Sequence, residues 1–328
     1  MRNRILLPGI LAALFLALPG IATAAGPANS ARQDLDFGRA DEALQSLSAT
    51  LAQNPKDAQA MNLRCRVFYQ EEQWDRAIAD CEAAVELNPA DSNFRLWLGR
   101  AYGQKAAHAS LVSSYPLARR VRAEFEQAVQ LDPHNAAALA DLGEFDVMAP
   151  LVVGGGLAKA EALVPELRTG APGASLYLTA RIAEERKDYT AAEAGFKSAI
   201  RQSSYPADAW MDIASFYRRR GRFAEMLTAA HTGASLDSSH GSALVDGASN
   251  LALAGREPQT AIQWLQLYLT SHAQSEIAPS FVVRAQLARL LRQQGDPQAA
   301  QQQLVVVHTL ASAYRIPSSI QASARTGL

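Results

Sequence analysis

The sequence predicts an all-α fold, a solenoid of stacked antiparallel helix pairs, on two observations. Proline recurs after a polar residue at Asn54-Pro55, Asn88-Pro89 and Asp132-Pro133, and the first two prolines are 34 residues apart. An alanine-rich amphipathic run precedes each of them, at 41–52, 75–87 and 122–131. Proline ends a helix, and neither helix of a pair can bury its apolar face alone, so such units must stack against their neighbours.

The first 24 residues have the pattern of a secretory signal peptide. Arg2 and Arg4 precede the apolar stretch 5–18, and Ala22-Thr23-Ala24 offers a small-x-small cleavage site. We expect cleavage before Ala25 and a periplasmic or secreted protein. An uncleaved membrane anchor is the alternative, which the helix-breaking Pro19-Gly20 step disfavours. The remaining chain is predicted to comprise a short segment (25–35), a helical array of about seven pairs (36–313) and a tail (314–328).

Residue identities inside these units resemble the tetratricopeptide repeat family, whose pattern places small, aromatic and proline residues at fixed positions of a 34-residue unit. The resemblance runs from about residue 36 to residue 311. One unit matches at Met61, Phe68, Ala77, Ala84 and Pro89, and the next two match at Leu98-Gly99 with Tyr102 and at Leu142-Gly143. A second helix farther along matches at Ala191-Ala192, Phe196 and Ala199, and the unit after it at Trp210, Ile213, Ala214, Tyr217 and Gly221. The last units match at Gly255, Ala261, Leu287-Ala288, Gly295 and Ala300. The resemblance implies a right-handed superhelix.

The same resemblance implies a binding surface, because the first helix of each unit lines the concave groove in this family. Mapped onto this sequence, the groove residues are Asn62, Arg66, Tyr69, Arg100, Glu144, Tyr177, Arg181, Arg218 and Arg289. Arginine beside aromatic residues suits an extended peptide or a carboxylate through forked hydrogen bonds. The alternative is that these arginines pair with acidic side chains of adjacent helices. The lysine-asparagine set of the family's carboxylate clamp is not reproduced.

Two units exceed the 34-residue period, and the extra residues are predicted to form loops near 104–120 and 149–156. The second contains Pro150, Gly154, Gly155 and Gly156 and is similar to a segment of the regulator of microtubule dynamics family. A phosphate-binding loop would need a Gly-Lys-Ser/Thr ending, which is absent here. We therefore interpret the glycine run as a loop between helices.

Cys65 and Cys81 are the only cysteines, 16 residues apart within one unit. The family's fold places these positions opposite each other on the two helices of a pair. A disulfide and two buried free thiols both remain open, because helix crossing could splay the two side chains.

The sequence offers no catalytic constellation. The six histidines lack the spacing of a zinc site, and no Gly-x-Ser-x-Gly elbow occurs. A formal net charge of -1, from 31 basic and 32 acidic side chains, does not favour nucleic acid or an anionic membrane as a partner. We expect neither an enzyme, nor a metal site, nor a cofactor.

The function predicted is a periplasmic scaffold that holds a protein or an extended peptide in its concave groove. The alternative is a carrier accessory that encloses a small anion beside Arg100, Glu144 and the glycine loop. Membrane insertion is not expected after signal cleavage, and the apolar helix 302–313 offers a surface for self-association.

Overall fold

The computed structural model describes residues 27–317, and in this range the protein contains sixteen α-helices and no strand. The predicted signal peptide (1–24) and residues 318–328 of the predicted tail lie outside the described residues. The helices are α1 (Pro27–Asp36), α2 (Ala40–Gln53), α3 (Ala58–Gln70), α4 (Trp74–Leu87), α5 (Ser92–Ala107), α6 (Leu111–Leu131), α7 (Ala136–Met148), α8 (Leu157–Gly170), α9 (Pro172–Glu185), α10 (Tyr189–Gln202), α11 (Pro206–Arg219), α12 (Phe223–Leu236), α13 (Ser242–Ala254), α14 (Pro258–Thr270), α15 (Ser280–Gln293) and α16 (Pro297–Leu310). A 3-10 turn, Leu151–Val153, lies between α7 and α8.

Helix starts and ends follow from local chemistry. Aspartate or asparagine side chains cap several first turns by accepting backbone N–H bonds, which satisfies donors that a helix leaves unpaired. Proline occupies the first position of α9, α11, α14 and α16, where its missing N–H costs nothing. The capping residues are Asp57, Asp91, Asn135, Asp188 and Asp296.

The helices form a right-handed solenoid of eight antiparallel pairs within the described range. Each odd-numbered helix packs against the even-numbered helix that follows it, and α3–α5, α5–α7, α7–α9 and α11–α13 also contact each other. First helices therefore form the inner, concave wall, and second helices form the outer wall. The predicted all-α solenoid is confirmed, with one pair more than expected, because residues 27–36 form a helix that buries Ala31 and Leu35 against α2.

The prediction of a loop near 104–120 is wrong. α5 continues to Ala107 and α6 begins at Leu111, so the extra residues lengthen both helices and leave only 108–110 between them. Pro116 is accommodated within α6. The projecting end carries exposed Leu111 and Val112. The segment 149–156 does form an inter-helix connection, built around the 3-10 turn.

Cys65 and Cys81 form a disulfide that joins α3 to α4, with their Cα atoms 5.4 Å apart. Both residues are fully buried. The alternative of two free thiols does not apply to this structure. The bridge fixes the crossing of the second helix pair.

The two ends of the solenoid meet, which the repeat pattern does not predict. Ser280 Oγ donates a hydrogen bond to the Phe37 carbonyl (2.6 Å), and the Ser312 N–H donates to the Asp41 carboxylate (3.1 Å). α2 contacts α16, and one continuous apolar core contains residues from both ends of the chain. The superhelix consequently closes on itself within a single turn.

The apolar side of α16 is used in this core, because Leu304 and Val307 are buried there. Val305 remains exposed on the opposite side. The helix that we considered for self-association therefore already packs most of its apolar face within the chain. Among residues 27–317, none of the helices is both long enough and apolar enough to span a bilayer.

Candidate binding surface

A cavity of about 360 Å³ opens on the concave wall where α3, α5 and α7 converge over α6. Its walls combine apolar groups with a few polar ones, as in many ligand-binding clefts. Met148, at the mouth, is 72% exposed. The lining residues are Tyr69, Arg100, Gly103, Gln104, Val121, Phe125, Asp141, Glu144, Phe145, Met148 and Ala149. Three residues of the sequence-predicted groove, Tyr69, Arg100 and Glu144, are brought together here.

Aromatic side chains support one wall of this cavity. The Tyr69 ring lies edge-on to both Trp74 and Trp97, at 5.6 and 5.5 Å between ring centroids. Gln104 Nε2 donates a hydrogen bond to the Tyr69 hydroxyl (3.2 Å). Arg100 stacks over Trp97 at 4.7 Å. These contacts hold Tyr69 and Arg100 in fixed orientations, so this part of the surface is pre-organised.

Arg100 and Arg181, two of the predicted groove arginines, are paired with acidic side chains. Arg100 Nε donates to Asp141 Oδ2 (2.6 Å), and Arg181 Nε donates to Glu144 Oε1 (3.2 Å). Arg181 also bonds Glu184 (2.6 Å). The alternative that we left open for the groove arginines, pairing with neighbouring acids, is the arrangement observed at these positions.

Two predicted groove residues are not at the surface. Asn62 is 2% exposed and Arg66 is 6% exposed, and Arg66 contacts the connection between α14 and α15. Arg66 Nε donates to Glu276 Oε2 (2.8 Å) from that connection. Burial lowers the pKa of Arg66, and the attraction of Glu276 offsets part of this effect. The expectation that Asn62 and Arg66 face an open groove is wrong.

The remaining predicted residues are spread along the wall. Tyr177 lies edge-on to Phe196, 5.8 Å between ring centroids, and burial raises its pKa. Arg218 donates to the Asn250 amide oxygen (3.0 Å), which links α11 to α13. Arg289 is partly buried on α15, and its Nε has no hydrogen-bond partner in the described part of the chain. The structure does not gather these three around the cavity.

The glycine loop is a compact turn at one edge of the cavity. Gly154 has φ +104°, and a Cβ on Gly155 would lie 2.0 Å from the Ala149 carbonyl oxygen, so both positions require glycine. The Pro150 carbonyl accepts hydrogen bonds from the Val153 and Gly155 N–H groups, and the Gly156 N–H donates to the Asp146 carbonyl. Lys159 Nζ donates back to the Gly154 carbonyl (2.5 Å). The loop's groups are thus used within the loop itself.

Farther along the solenoid, four aspartates form no ion pair within residues 27–317; they lie on α11, on α13 and at the end of α12. They are Asp208, Asp212, Asp237 and Asp246. Burial and then repulsion from Asp246 raise the pKa of Asp212 to about 7. Desolvation by neighbouring groups and repulsion from Asp208 raise the pKa of Asp246, whose side chain is exposed. Four carboxylates without an ion-pair partner among residues 27–317 thus lie in this region, where Arg218 is a neighbouring cation.

Sequence reasoning missed several of these residues. Met148 is the thirteenth residue of the unit that begins at Ala136. Residues at this place in a unit face the groove in this family, but the prediction considered only polar side chains there. Asp208 and Asp212 are the second and sixth residues of the unit that begins at Ala207, and they lie one helical turn apart on the same face of α11. Asp246 is the sixth residue of the next unit, whereas Asp237 follows the end of α12. An acidic side chain repeated at these positions was the available signal. Within the described chain no group of three histidine, cysteine or acidic residues has the geometry of a metal site.

Comparison with known proteins agrees with this architecture. A tetratricopeptide repeat family model matches residues 29–92, 66–109 and 177–230. The comparison with curated proteins gives no match. Yeast Tom70 is 16% identical with a TM-score of 0.54, over 94% of this chain and 64% of that one.

Two bacterial structures are also similar. A thermophilic tetratricopeptide repeat protein of Thermus thermophilus is 19% identical with a TM-score of 0.48, over 62% of this chain and 97% of that one. A tetratricopeptide repeat protein of Parabacteroides merdae is 13% identical with a TM-score of 0.49, over 81% of this chain and 96% of that one. At these identities the likeness to solved structures concerns the fold alone.

Proposed function

We propose that this chain, which carries tetratricopeptide repeats, is a non-enzymatic scaffold that binds an extended segment of a partner protein on its concave wall. The observation that carries the proposal is the cavity between α5 and α7. It combines fixed polar groups with the exposed apolar side chain of Met148, and an extended segment can place one side chain in it.

Charge argues against the alternative of a small anionic ligand at this place. Arg100 is the cationic side chain of the cavity, and Asp141 already neutralises it at 2.6 Å. Glu144 adds a further carboxylate to the same lining. An anion entering this cavity would meet no unpaired positive charge, so we favour a polypeptide side chain as its occupant.

We also propose that the protein acts in the periplasm or outside the cell. The signal-peptide pattern of residues 1–24 supports this location. The Cys65–Cys81 disulfide is compatible with it, because disulfides persist in oxidising compartments and are rare in the cytosol. Fractionation of cells into envelope and cytosol, with N-terminal sequencing of the protein, tests the location. Recovery of the intact N-terminus in the cytosol would contradict it.

Site-specific photo-cross-linking in the native cell envelope tests the binding surface. A photoreactive amino acid at Met148 is expected to form adducts with a discrete partner. The same residue placed at Lys197, which is exposed on the outer helix α10, is the positional control and should form none.

The chain also offers a variant that fills the cavity. A Cβ on Gly103 would meet only the Val121 methyls, at 3.9 Å, so Gly103→Phe can project into the cavity without a backbone clash. We expect it to remove the Met148 adducts, whereas the matched Gly103→Ala variant keeps them. Adducts that persist unchanged in Gly103→Phe would show that the cavity is not the binding surface.

A further inference from the structure

A second cavity, of about 480 Å³, lies beside the start of α11, between the α12–α13 turn and the α14–α15 connection. Its apolar walls include Tyr205, Leu236 and Ile277, whose side chains are exposed. Asp208 and Asp237 also line it. The cavity is thus an apolar slot that contains two carboxylates, and it is separate from the cavity at α5 and α7.

Neither carboxylate has a cationic partner among the described residues. Around the first cavity, in contrast, Asp141 is paired with Arg100 and Glu144 with Arg181. The two aspartates repel each other, since the charge of Asp237 contributes to raising the pKa of Asp208 after the effect of burial. A cation placed between them would remove this repulsion.

The hydrogen bonds of Asp237 give an independent observation at this cavity. The residue is only 8% exposed, and its Oδ1 accepts a hydrogen bond from Ser239 Oγ (2.7 Å). Its Oδ2 is buried without a hydrogen-bond partner anywhere in residues 27–317. A buried carboxylate oxygen ordinarily accepts a hydrogen bond, because its removal from water without a new partner destabilises the folded state. The described residues thus leave one acceptor of this carboxylate unused.

The lining identifies the kind of cation. Two carboxylates are too few for a metal cage, and no group of three potential metal ligands occurs among residues 27–317. Exposed Tyr205, Leu236 and Ile277 instead suit an aliphatic stem, which carries a guanidinium or ammonium group to the aspartates. The volume lies within the usual range of ligand clefts, roughly 300 to 1,000 Å³.

We propose that this Asp208–Asp237 slot binds an arginine or lysine side chain of the partner segment, an assignment that rests on the proposed function. Two further aspartates lie on α11 and α13. Asp212 lies one turn beyond Asp208 on α11 and lines, with Asp246 and Arg218, a cavity of about 210 Å³. Arg218 bonds the neutral Asn250 amide, so two carboxylates face one guanidinium in that cavity. A segment that carries several basic side chains would meet further aspartates beyond the slot, which favours a polypeptide over a single free amine.

Binding of a blocked arginine tests the slot directly. The probes are N-acetyl-arginine methylamide and its citrulline counterpart, which has the same shape without the charge. Titration of the full mature chain should shift the amide resonances of Ser239 and Gly241, with the citrulline derivative at least fivefold weaker. Blocked tetra-arginine should bind at least tenfold more tightly than the single residue. Equal binding of arginine and citrulline derivatives would overturn the proposal.

The variant Asp208→Asn/Asp237→Asn removes both charges and keeps the shape. The amide oxygen introduced at position 237 can still accept the hydrogen bond from Ser239, so the turn is preserved. We expect at least fivefold weaker arginine binding in this variant and no change in Glu166→Gln, which removes an exposed charge on α8. Spermidine bound as tightly as tetra-arginine would instead assign the slot to small amines and refute a peptide partner.

The two proposals fail separately. If Met148 adducts form and are unaffected by Asp208→Asn/Asp237→Asn, and arginine derivatives do not bind, the slot assignment is wrong and the scaffold function stands. If arginine derivatives bind with the expected charge dependence but Met148 forms no adducts, the cavity between α5 and α7 is not a partner surface. In that case the slot remains a basic-group site.

Discussion

Arg66 and Glu276, 210 residues apart in the sequence, form an ion pair that joins the second helix pair to the connection between α14 and α15, with Nε 2.8 Å from Oε2. Gln70 adds a hydrogen bond from Nε2 to the Glu276 carbonyl (3.0 Å). Arg32 Nη2 lies 3.4 Å from Oε1 of the same carboxylate. Glu276 thereby ties residues of α1 and α3 to the C-terminal part of the chain.

We expect Glu276→Gln to lower the free energy of unfolding by roughly 3 kcal/mol, because it leaves the buried Arg66 guanidinium without a counter-charge. Chemical denaturation measures this change. Glu161→Gln is the matched control: its partner Arg186 is half exposed, so the loss should be about 1 kcal/mol or less. Equal effects of the two substitutions would mean that the Arg66–Glu276 ion pair stabilises the fold no more than a surface ion pair does.

The disulfide gives a second prediction. Cys65 and Cys81 are 16 residues apart, and closing a loop of this length in the unfolded chain stabilises the folded state by about 3 kcal/mol. Reduction should therefore lower the denaturation midpoint of the wild-type protein. The variant Cys65→Ala/Cys81→Ala should melt at a lower temperature than the wild type and be insensitive to reductant. An unchanged wild-type midpoint after complete reduction would contradict the expected stabilisation.

The folded pKa of Asp212, about 7, lies above the pKa of a solvated aspartate, about 3.9. Below about pH 3.9 Asp212 is protonated in both the folded and the unfolded protein, so it does not lower the free energy of unfolding. Between about 3.9 and 7 it ionises only in the unfolded protein, so the free energy of unfolding falls as pH rises. Above about 7 this decrease is complete. Asp212→Asn should accordingly stabilise the protein at pH 8, by on the order of 1 kcal/mol after allowance for solvent screening, and have little effect at pH 4.

Thermal or chemical denaturation of Asp212→Asn at the two pH values measures this difference. Glu166→Gln, on the exposed side of α8, serves as the control for removal of one negative charge. A stabilisation of the same size at pH 4 and pH 8 would show that the effect does not come from ionisation of Asp212.

The helix pairs could be predicted from the sequence, whereas closure of the superhelix could not. Proline and alanine positions report contacts between neighbouring units, because each unit packs chiefly on the next one. The meeting of Phe37 with Ser280 depends on small rotations summed over all eight pairs, and no single unit encodes their total. Burial of Arg66 against Glu276 follows from this closure, so a position that the repeat pattern assigns to the groove is covered by a distant part of the chain.

The candidate binding surface was predictable only in part for a related reason. Tyr69, Arg100 and Glu144 follow from their positions in the unit. Pairing of Arg100 with Asp141 depends on the register between α5 and α7, which the repeat does not specify. The prediction did not include the four aspartates, because it rested on arginine and aromatic residues, the side chains that recognise carboxylates. Around α11 and α13 these aspartates form no ion pair within residues 27–317, and Arg218 bonds only a neutral amide.

Two glycines of α5 provide a matched pair for the final prediction. A Cβ on Gly99 would lie 2.5 Å from the Phe125 ring, whereas one on Gly103 would meet the Val121 methyls at 3.9 Å. Alanine is favoured over glycine in a helix interior by about 1 kcal/mol. Gly103→Ala should therefore raise the free energy of unfolding by up to about 1 kcal/mol. Gly99→Ala should lower it by about 1 to 2 kcal/mol, since overpacking of the ring outweighs the helix preference.

Urea denaturation of the two variants and the wild type measures these changes in the free energy of unfolding. The variants can be compared directly, because both carry the same chemical change in the same helix. The difference between them isolates the close packing of α5 on α6, which forms the floor of the cavity at Phe125. If Gly99→Ala proved as stable as Gly103→Ala, Phe125 would have to move away from α5. The floor of the cavity would then be more adaptable than its packing indicates, and Gly103→Phe would be a weaker block of the binding surface.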